Sequence, residues 1–253
     1  MFLGVSTLGC PGLPLDRVAR MLRRHEVGAV ELRCAEDEPV HTGLSSAGRR
    51  AARTALDGLR VVGLATYVRL TDGAAGLAEH LDLAYDLGAP ALRLMPGGDG
   101  DPAVLLGPAS AALAAAVAMA KGSGVCLLVE THDAFPCGAD VRRLLETSGA
   151  DGSEAGAVWD ALHPWRAGES PVRTAVELGP WLAEVQVKDV ASPADRRPLV
   201  PGAGTVPNAE VLTLARAAGF TGPVVLEHEA RWYPDAAPID DAIAGARRLF
   251  DRV

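Results

Sequence analysis

Hydrophobic periodicity in this chain switches eight times between the strand period and the helix period, in units of roughly thirty residues. The predicted strands are Leu3–Thr7, Ala29–Arg33, Val61–Thr66, Ala91–Met95, Val125–Glu130, Ala155–Asp160, Ala183–Lys188 and Pro223–Glu227. Helical patterns fall between and after them, at Leu15–His25, Ser46–Leu59, Gly76–Leu87, Pro108–Lys121, Ala139–Ser148, Arg173–Leu182, Ala209–Ala218 and Ile239–Val253. Asp16, Ser45 and Asn208 stand where helix N-caps are wanted, and Gly28, Gly88, Gly124 and Gly219 follow helix ends. Eight such units predict an α/β fold of the (β/α)8 TIM-barrel type. No Gly/Ser linker or charge block divides the chain, so residues 1–253 are expected to form a single domain. A doubly wound open sheet also alternates strand and helix. It would normally carry GxGxxG after its first strand, and Ser6–Gly12 reads STLGCPG.

Composition narrows the function. A formal net charge of −8 argues against nucleic acid or an anionic membrane surface as partner, since both require clustered cations. The apolar start MFLGVSTLGCPG has no basic residues before it and is cut short by Pro11, so it reads as a first strand and not as a secretion signal. The longest apolar run, Ala111–Ala120, is too short to span a bilayer, and no membrane association is expected. The four cysteines, Cys10, Cys34, Cys126 and Cys137, show no CxxC pairing, which makes the cytoplasm the expected location.

Four strings carry the chemistry: LLVETHD (127–133), VWDALHP (158–164), VQVKD (185–189) and VVLEHEA (224–230). Each is an apolar run ending in polar groups. In a barrel the side chains alternate between the axis and the helices, and functional groups gather at the strand C-termini. Glu130, Asp160, Gln186 and Glu227 stand at comparable positions and converge on one region. Three carboxylates there would repel and raise one another's pKa, a conflict that a divalent cation resolves. Gln186 adds a carbonyl oxygen, giving an all-oxygen set that suits Mg2+ or Mn2+ better than Zn2+. Lys188 is one of only two lysines and shares a predicted face with Gln186. It can bond a substrate, offset the carboxylates, or form an ion pair with Asp189 or Glu229. The loop VPGAGTVP (200–207) lies where barrels often bind anions. Glu31, Arg33 and Tyr67 are further pocket candidates, while His132 and His228 adjoin expected ligands.

With those strings the chain resembles, over essentially its whole length, the xylose-isomerase-like barrels of the sugar phosphate isomerase/epimerase family. Members carry Glu, Asp, His and Glu on strands five to eight around Mn2+, Mg2+, Co2+ or a similar ion. The resemblance implies Glu130, Asp160 and Glu227 as ligands, with Glu130 and Glu227 also the acid/base pair. It implies His163, from the DxxH match, as a substrate contact. The family's HxKD is here QVKD, so Gln186 replaces a histidine, as in the similar dehydroshikimate dehydratases. Arg196 and Arg197, before the Gly-rich loop, match arginine in the family and join His163 and Lys188 as substrate-binding candidates.

The expected activity is therefore isomerisation or epimerisation of a small polyhydroxylated substrate, a sugar or sugar phosphate. A carboxylate removes a proton beside a carbonyl, the cation steadies the enediolate, and the proton returns elsewhere. No organic cofactor is implied. The alternatives are a 3-dehydroshikimate dehydratase-like lyase on the same metal site and a catalytically inactive sugar-binding barrel. An endonuclease-IV-like DNA repair enzyme shares the barrel but wants a His-rich centre and a basic face, and this chain is acidic. Family members are often oligomers, and the aromatics of RWYPDAAP (231–238) would cover either the mouth or a neighbouring copy.

Overall fold

A computed structural model describes all residues, 1–253. Eight parallel strands close into a barrel in chain order: β1 Phe2–Ser6, β2 Ala29–Arg33, β3 Arg60–Arg69, β4 Ala91–Met95, β5 Cys126–Glu130, β6 Ala155–Asp160, β7 Leu182–Val187 and β8 Pro223–Leu226. Around them run α1 Leu15–Arg24, α2 Ser46–Ala55, α3 Leu77–Leu87, α4 Pro102–Ala120, α5 Gly138–Ser148, α6 Leu162–Arg166, α7 Pro171–Leu178, α8 Asn208–Ala217 and α9 Ile239–Phe250. The closed sheet excludes the doubly wound alternative. The chain is a TIM barrel.

Strand parity divides the apolar residues into two layers. Leu127, Val129, Trp159, Val185, Val187 and Leu226 face outward and pack with the helices in the main core. Residues of the opposite parity fill the barrel axis: Ala29, Val62 and Val225 form one small cluster, and Ala91, Leu128 and Val158 another. The same parity carries Glu130, Asp160, Gln186 and Glu227 toward the axis, each two residues beyond a buried floor residue. Pairing runs Glu130 to Val158, Asp160 to Gln186, and Gln186 to Val225, so the strands are staggered as a tilted barrel requires.

Helix ends differ from expectation in instructive ways. Ser45 caps α2 by accepting from the Gly48 amide at 3.2 Å, but Asp16 lies inside the first turn of α1. Asn208 opens α8 and donates its side-chain amide to the Lys188 carbonyl at 3.0 Å. Helix α4 starts at Pro102, capped by Asp101, and runs through Pro108. It is therefore longer than the Ala-rich run suggested, and by length and composition alone it could cross a membrane. In the fold it lies along the outside of the barrel, with Ala109, Leu113, Ala116 and Ala120 buried. The short helix α6, directly after Asp160, has too few residues for periodicity to reveal it.

Trp159 is the largest fully buried side chain and belongs to the outward-facing core. Trp159→Ala should cost about 3–5 kcal/mol of stability, as expected for a buried aromatic truncation. Urea unfolding followed by circular dichroism measures it, and a loss below about 1 kcal/mol would contradict the packing described.

Candidate metal centre

Glu130 and Asp160 are the last residues of β5 and β6, and Glu227 follows β8 directly. All three are buried, and one carboxylate oxygen from each lies within 4.8 Å of the others. Local bonds fix two of the four expected ligands. Asp160 Oδ1 accepts from the Leu162 amide at 2.7 Å, which turns Oδ2 to the axis. Gln186 Nε2 donates to Glu184 Oε1 at 3.2 Å and leaves Oε1 buried without a donor.

Two cations share the space. Arg93, in β4, forms an ion pair with Glu130. Lys188 pairs with Glu227, reaches Glu229 at 3.2 Å, and brings Nζ to 2.7 Å from Asp160 Oδ2. The last approach is a charge contact off the hydrogen-bonding direction, because Oδ2 has no directed donor. Of the sequence alternatives for Lys188, the structure shows charge offset together with a pair to Glu229. Burial alone would discharge this lysine, but Asp160, Glu227, Glu229 and Glu130 hold its ammonium charged.

Burial acts on each carboxyl, and the neighbours decide the outcome. Asp160 is pushed up to about 6 by desolvation, with Lys188 opposing and Glu130 and Glu227 reinforcing. Burial also favours neutral Glu227, yet Lys188 and Arg93 together carry it below its ordinary value. Beneath this layer, desolvation pushes Glu31 up to about 7 despite Arg93. Glu184, buried and facing Glu31, rises well above the carboxylate range. The mouth then holds the carboxyls of Glu130, Asp160 and Glu227, with Glu31 beneath them and Glu229 at the rim, against two cations, Arg93 and Lys188. A divalent cation would offset this surplus of carboxyls, and Asp160 Oδ2 and Gln186 Oε1, which accept no hydrogen bond, are suitable ligand atoms. The residues present fit such an ion.

His163 stands at the start of α6, with Nε2 at 3.8 Å from Asp160 Oδ2 and no hydrogen-bond partner. Burial, and then the neighbouring His132 and Lys188, keep its imidazole neutral. Its ring centroid lies 4.2 Å from that of His132. Arg196 lines a cavity of about 560 Å3 with His132, His163 and Arg166. Arg197 instead pairs with Asp235 at 2.8 Å and is not on that wall. Segment 231–238 folds over the rim, where Arg231 pairs with Asp37 and Arg33 lies 5.9 Å from the Trp232 ring. Arg33 also donates to Tyr67 at 2.7 Å and is paired with Glu38, so its charge is already met. His228 contacts the Ala237 carbonyl at 2.8 Å.

The Gly-rich loop answers differently from its sequence. Asp189 Oδ2 accepts from the Gly202 and Gly204 amides at 2.8 and 2.9 Å, and Oδ1 from Val190 and Val206 at 3.0 and 3.1 Å. The chain's own carboxylate thus fills the place an anion would take. A methyl group on Gly204 would overlap both Asp189 and the Val190 carbonyl, which explains glycine there. Sequence reasoning missed Arg93 and Glu184. Each is a charged residue of axis-facing parity inside an apolar strand, ALRLM and LAEVQV, and that parity was the available signal.

A family model described as xylose isomerase-like TIM barrel matches residues 19–250. The uncharacterized proteins Rv0498 of Mycobacterium tuberculosis and Mb0509 of Mycobacterium bovis are each 41% identical over 78 residues, 30% of this chain. The match spans only 28% of the length of these curated relatives. Among solved structures, the probable 3-DHS dehydratase AsbF of Bacillus anthracis superposes with a TM-score of 0.81 at 16% identity, covering 100% of both chains. The D-psicose 3-epimerase of Clostridium cellulolyticum H10, solved with D-tagatose, gives 0.78 at 12% identity, over 100% of this chain and 98% of its own. IOLI protein with a bound zinc atom gives 0.79 at 14%, over 98% and 96%. At these identities the structures establish the shared fold.

Asp189→Ala should expose four amides and cost about 2–4 kcal/mol. Hydrogen exchange measured by NMR should show protection lost at Gly202, Gly204 and Val206 while the β5 and β6 amides stay protected. Unchanged exchange in the loop would refute the anchoring role.

Proposed function

The chain belongs to the xylose isomerase-like TIM barrel family, and on that premise we propose that it is a divalent-metal-dependent isomerase or epimerase of a sugar or sugar phosphate. The observation that carries this reading is the surplus of buried negative charge around Glu130, Asp160 and Glu227, whose donor oxygens lie within 4.8 Å of one another. Glu130, Asp160, Gln186 and Glu227 would hold the ion. Their all-oxygen set favours Mn2+ or Mg2+. When bound, the cation supplies Lewis acidity to a carbonyl and the neighbouring hydroxyl of a substrate.

The rest belongs to the chain. Glu130 and Glu227 approach from β5 and β8 and so flank a substrate seated in the mouth. Lys188 keeps Glu227 ionised, so it is ready to take a proton from the carbon beside the carbonyl. Glu227 can then return that proton to the neighbouring carbon, or Glu130, paired with Arg93 and once protonated from solvent, can deliver one from the other side. Delivery to the same carbon from the opposite face epimerises it, while delivery to the adjacent carbon isomerises the sugar. His163 and Arg196 border the cavity and would meet substrate oxygens. Lys188 completes the proposed substrate-binding set, and Arg197 would join it only by leaving its pair with Asp235. The small polyhydroxylated substrate follows from this polar lining.

Gln186 favours a second reading. Its oxygen stands where the family carries histidine, as in the similar dehydroshikimate dehydratases, and β-elimination of a hydroxyl needs the same carbon-acid step. Ultraviolet detection of a conjugated product from 3-dehydroshikimate would select that reading.

Two measurements test the proposal. The chain should bind Mn2+ at the carboxylate centre, and Glu227→Ala should abolish that binding. In D2O, the Mn2+-loaded protein should incorporate solvent deuterium into at least one of a panel of free and phosphorylated ketoses. Glu130→Gln and Glu227→Gln should each slow this by about 100-fold or more while the fold survives. Mn2+ binding without exchange into any ketose would overturn the isomerase reading and leave a sugar-binding barrel or the dehydratase. Near wild-type exchange in either variant would overturn the acid/base assignment.

A further inference from the structure

Helix α4 is the only helix of this barrel without a charged residue, and its one hydroxyl, on Ser110, is buried. A surface helix normally turns charged residues outward. Here the outward positions Val104, Pro108, Ala111, Ala115 and Ala118 recur every three or four residues and form one apolar strip. Val104 is 75% exposed and Met119, at the end of the strip, 56%. A continuous apolar face of this kind marks an interaction surface.

Charges stand only at the two ends of the helix, and they are opposite in sign. Asp99 and Asp101 precede it and Lys121 follows it, all three exposed. Asp101 caps the helix with Oδ1, which accepts from the Ala103 amide at 2.8 Å, and Oδ2 is left over. Every ion pair within the chain is made by arginine, histidine or Lys188. Lys121 therefore has no carboxylate partner of its own.

We propose that this face docks a second copy of the chain, the two α4 helices packing antiparallel about a two-fold axis at Ala111. That axis sets Asp101 opposite Lys121 at both ends, Val104 opposite Ala118, and Ala103 opposite Met119, so large meets small throughout. Gly107 faces Ala115 beside the axis, which lets the helices approach to about 8 Å. Parallel packing would instead oppose Asp101 to Asp101 and Lys121 to Lys121. A membrane surface is the poorer occupant, since helices that lie in one carry Lys and Arg beside the apolar face. Asp99, Asp101 and the net charge of −8 repel anionic lipid.

A stable interface covers about 800 Å2 per partner. A strip about 28 Å long and about 10 Å wide covers less than half of that, so the dimer is weak and dependent on concentration. Asp99 and Pro102 also line the mouth cavity, so the contact abuts the candidate site. The docking itself depends on neither the metal nor the reaction.

Sedimentation velocity of the full chain tests this. Wild type should pass from monomer to dimer with a dissociation constant on the order of 10–100 μM. Ala111→Arg, which sets an arginine against itself across the axis, should raise that constant by about tenfold or more. Asp101→Lys and Lys121→Glu should each weaken self-association, because like charges then meet at both ends. Mixing those two variants should restore dimers, because in the mixed pair both ends are complementary again. Circular dichroism confirms that each variant is folded. A monomer at every concentration, self-association indifferent to Ala111→Arg, or a mixture no more dimeric than its parts would overturn the docking. Monomeric protein that instead binds phosphatidylserine vesicles through Val104 and Met119 would overturn it in favour of a membrane.

Discussion

Everything at the mouth of this barrel follows from placing more carboxylates than cations in a space closed to water. A lone buried carboxylate is expensive, and a group of them is worse, because each raises the others. The chain answers with Arg93 against Glu130 and with Lys188 among Asp160, Glu227 and Glu229. Glu184, buried beside Glu31, is pushed well above the carboxylate range. What remains is a surplus of carboxyls and several oxygens with no donor, a set of ligand atoms that fits a hard cation. Removing a single partner from such a network is costly, since it leaves the other charge buried and bare.

The barrel was legible because it is written in periodicity. Eight alternations of apolar pattern are a long signal, and the parity of each strand then fixes which residues face the axis. That is why Glu130, Asp160, Gln186 and Glu227 were brought together as the sequence indicated. Features set by short segments were not legible in the same way. Helix α6 is five residues long, and the start of α4 is marked by Asp101 and Pro102, ahead of the Ala-rich run.

The Gly-rich loop shows a different limit. Its sequence is compatible with an anion cradle, and the structure is one, built around Asp189. No local pattern says whether the anion in such a cradle is a ligand or the chain's own carboxylate. Arg93 and Glu184 were not legible as site residues because neither stands at a strand C-terminus, where functional groups are expected. Both lie deeper along the axis, where their effect passes through other residues. Lys188 was singled out by its rarity, and its three carboxylate partners became visible only once β6, β7 and β8 were placed side by side.

Lys188 has a consequence for the order of events in the life of this molecule. Its ammonium is tethered to β7 and lies among the very oxygens that a free ion would claim. A newly made chain therefore carries its own counterion and can close the barrel without waiting for another. For the ion proposed above, loading would be an exchange between two cations, one of which cannot leave. That ion could then come and go while the tethered ammonium holds the same oxygens together.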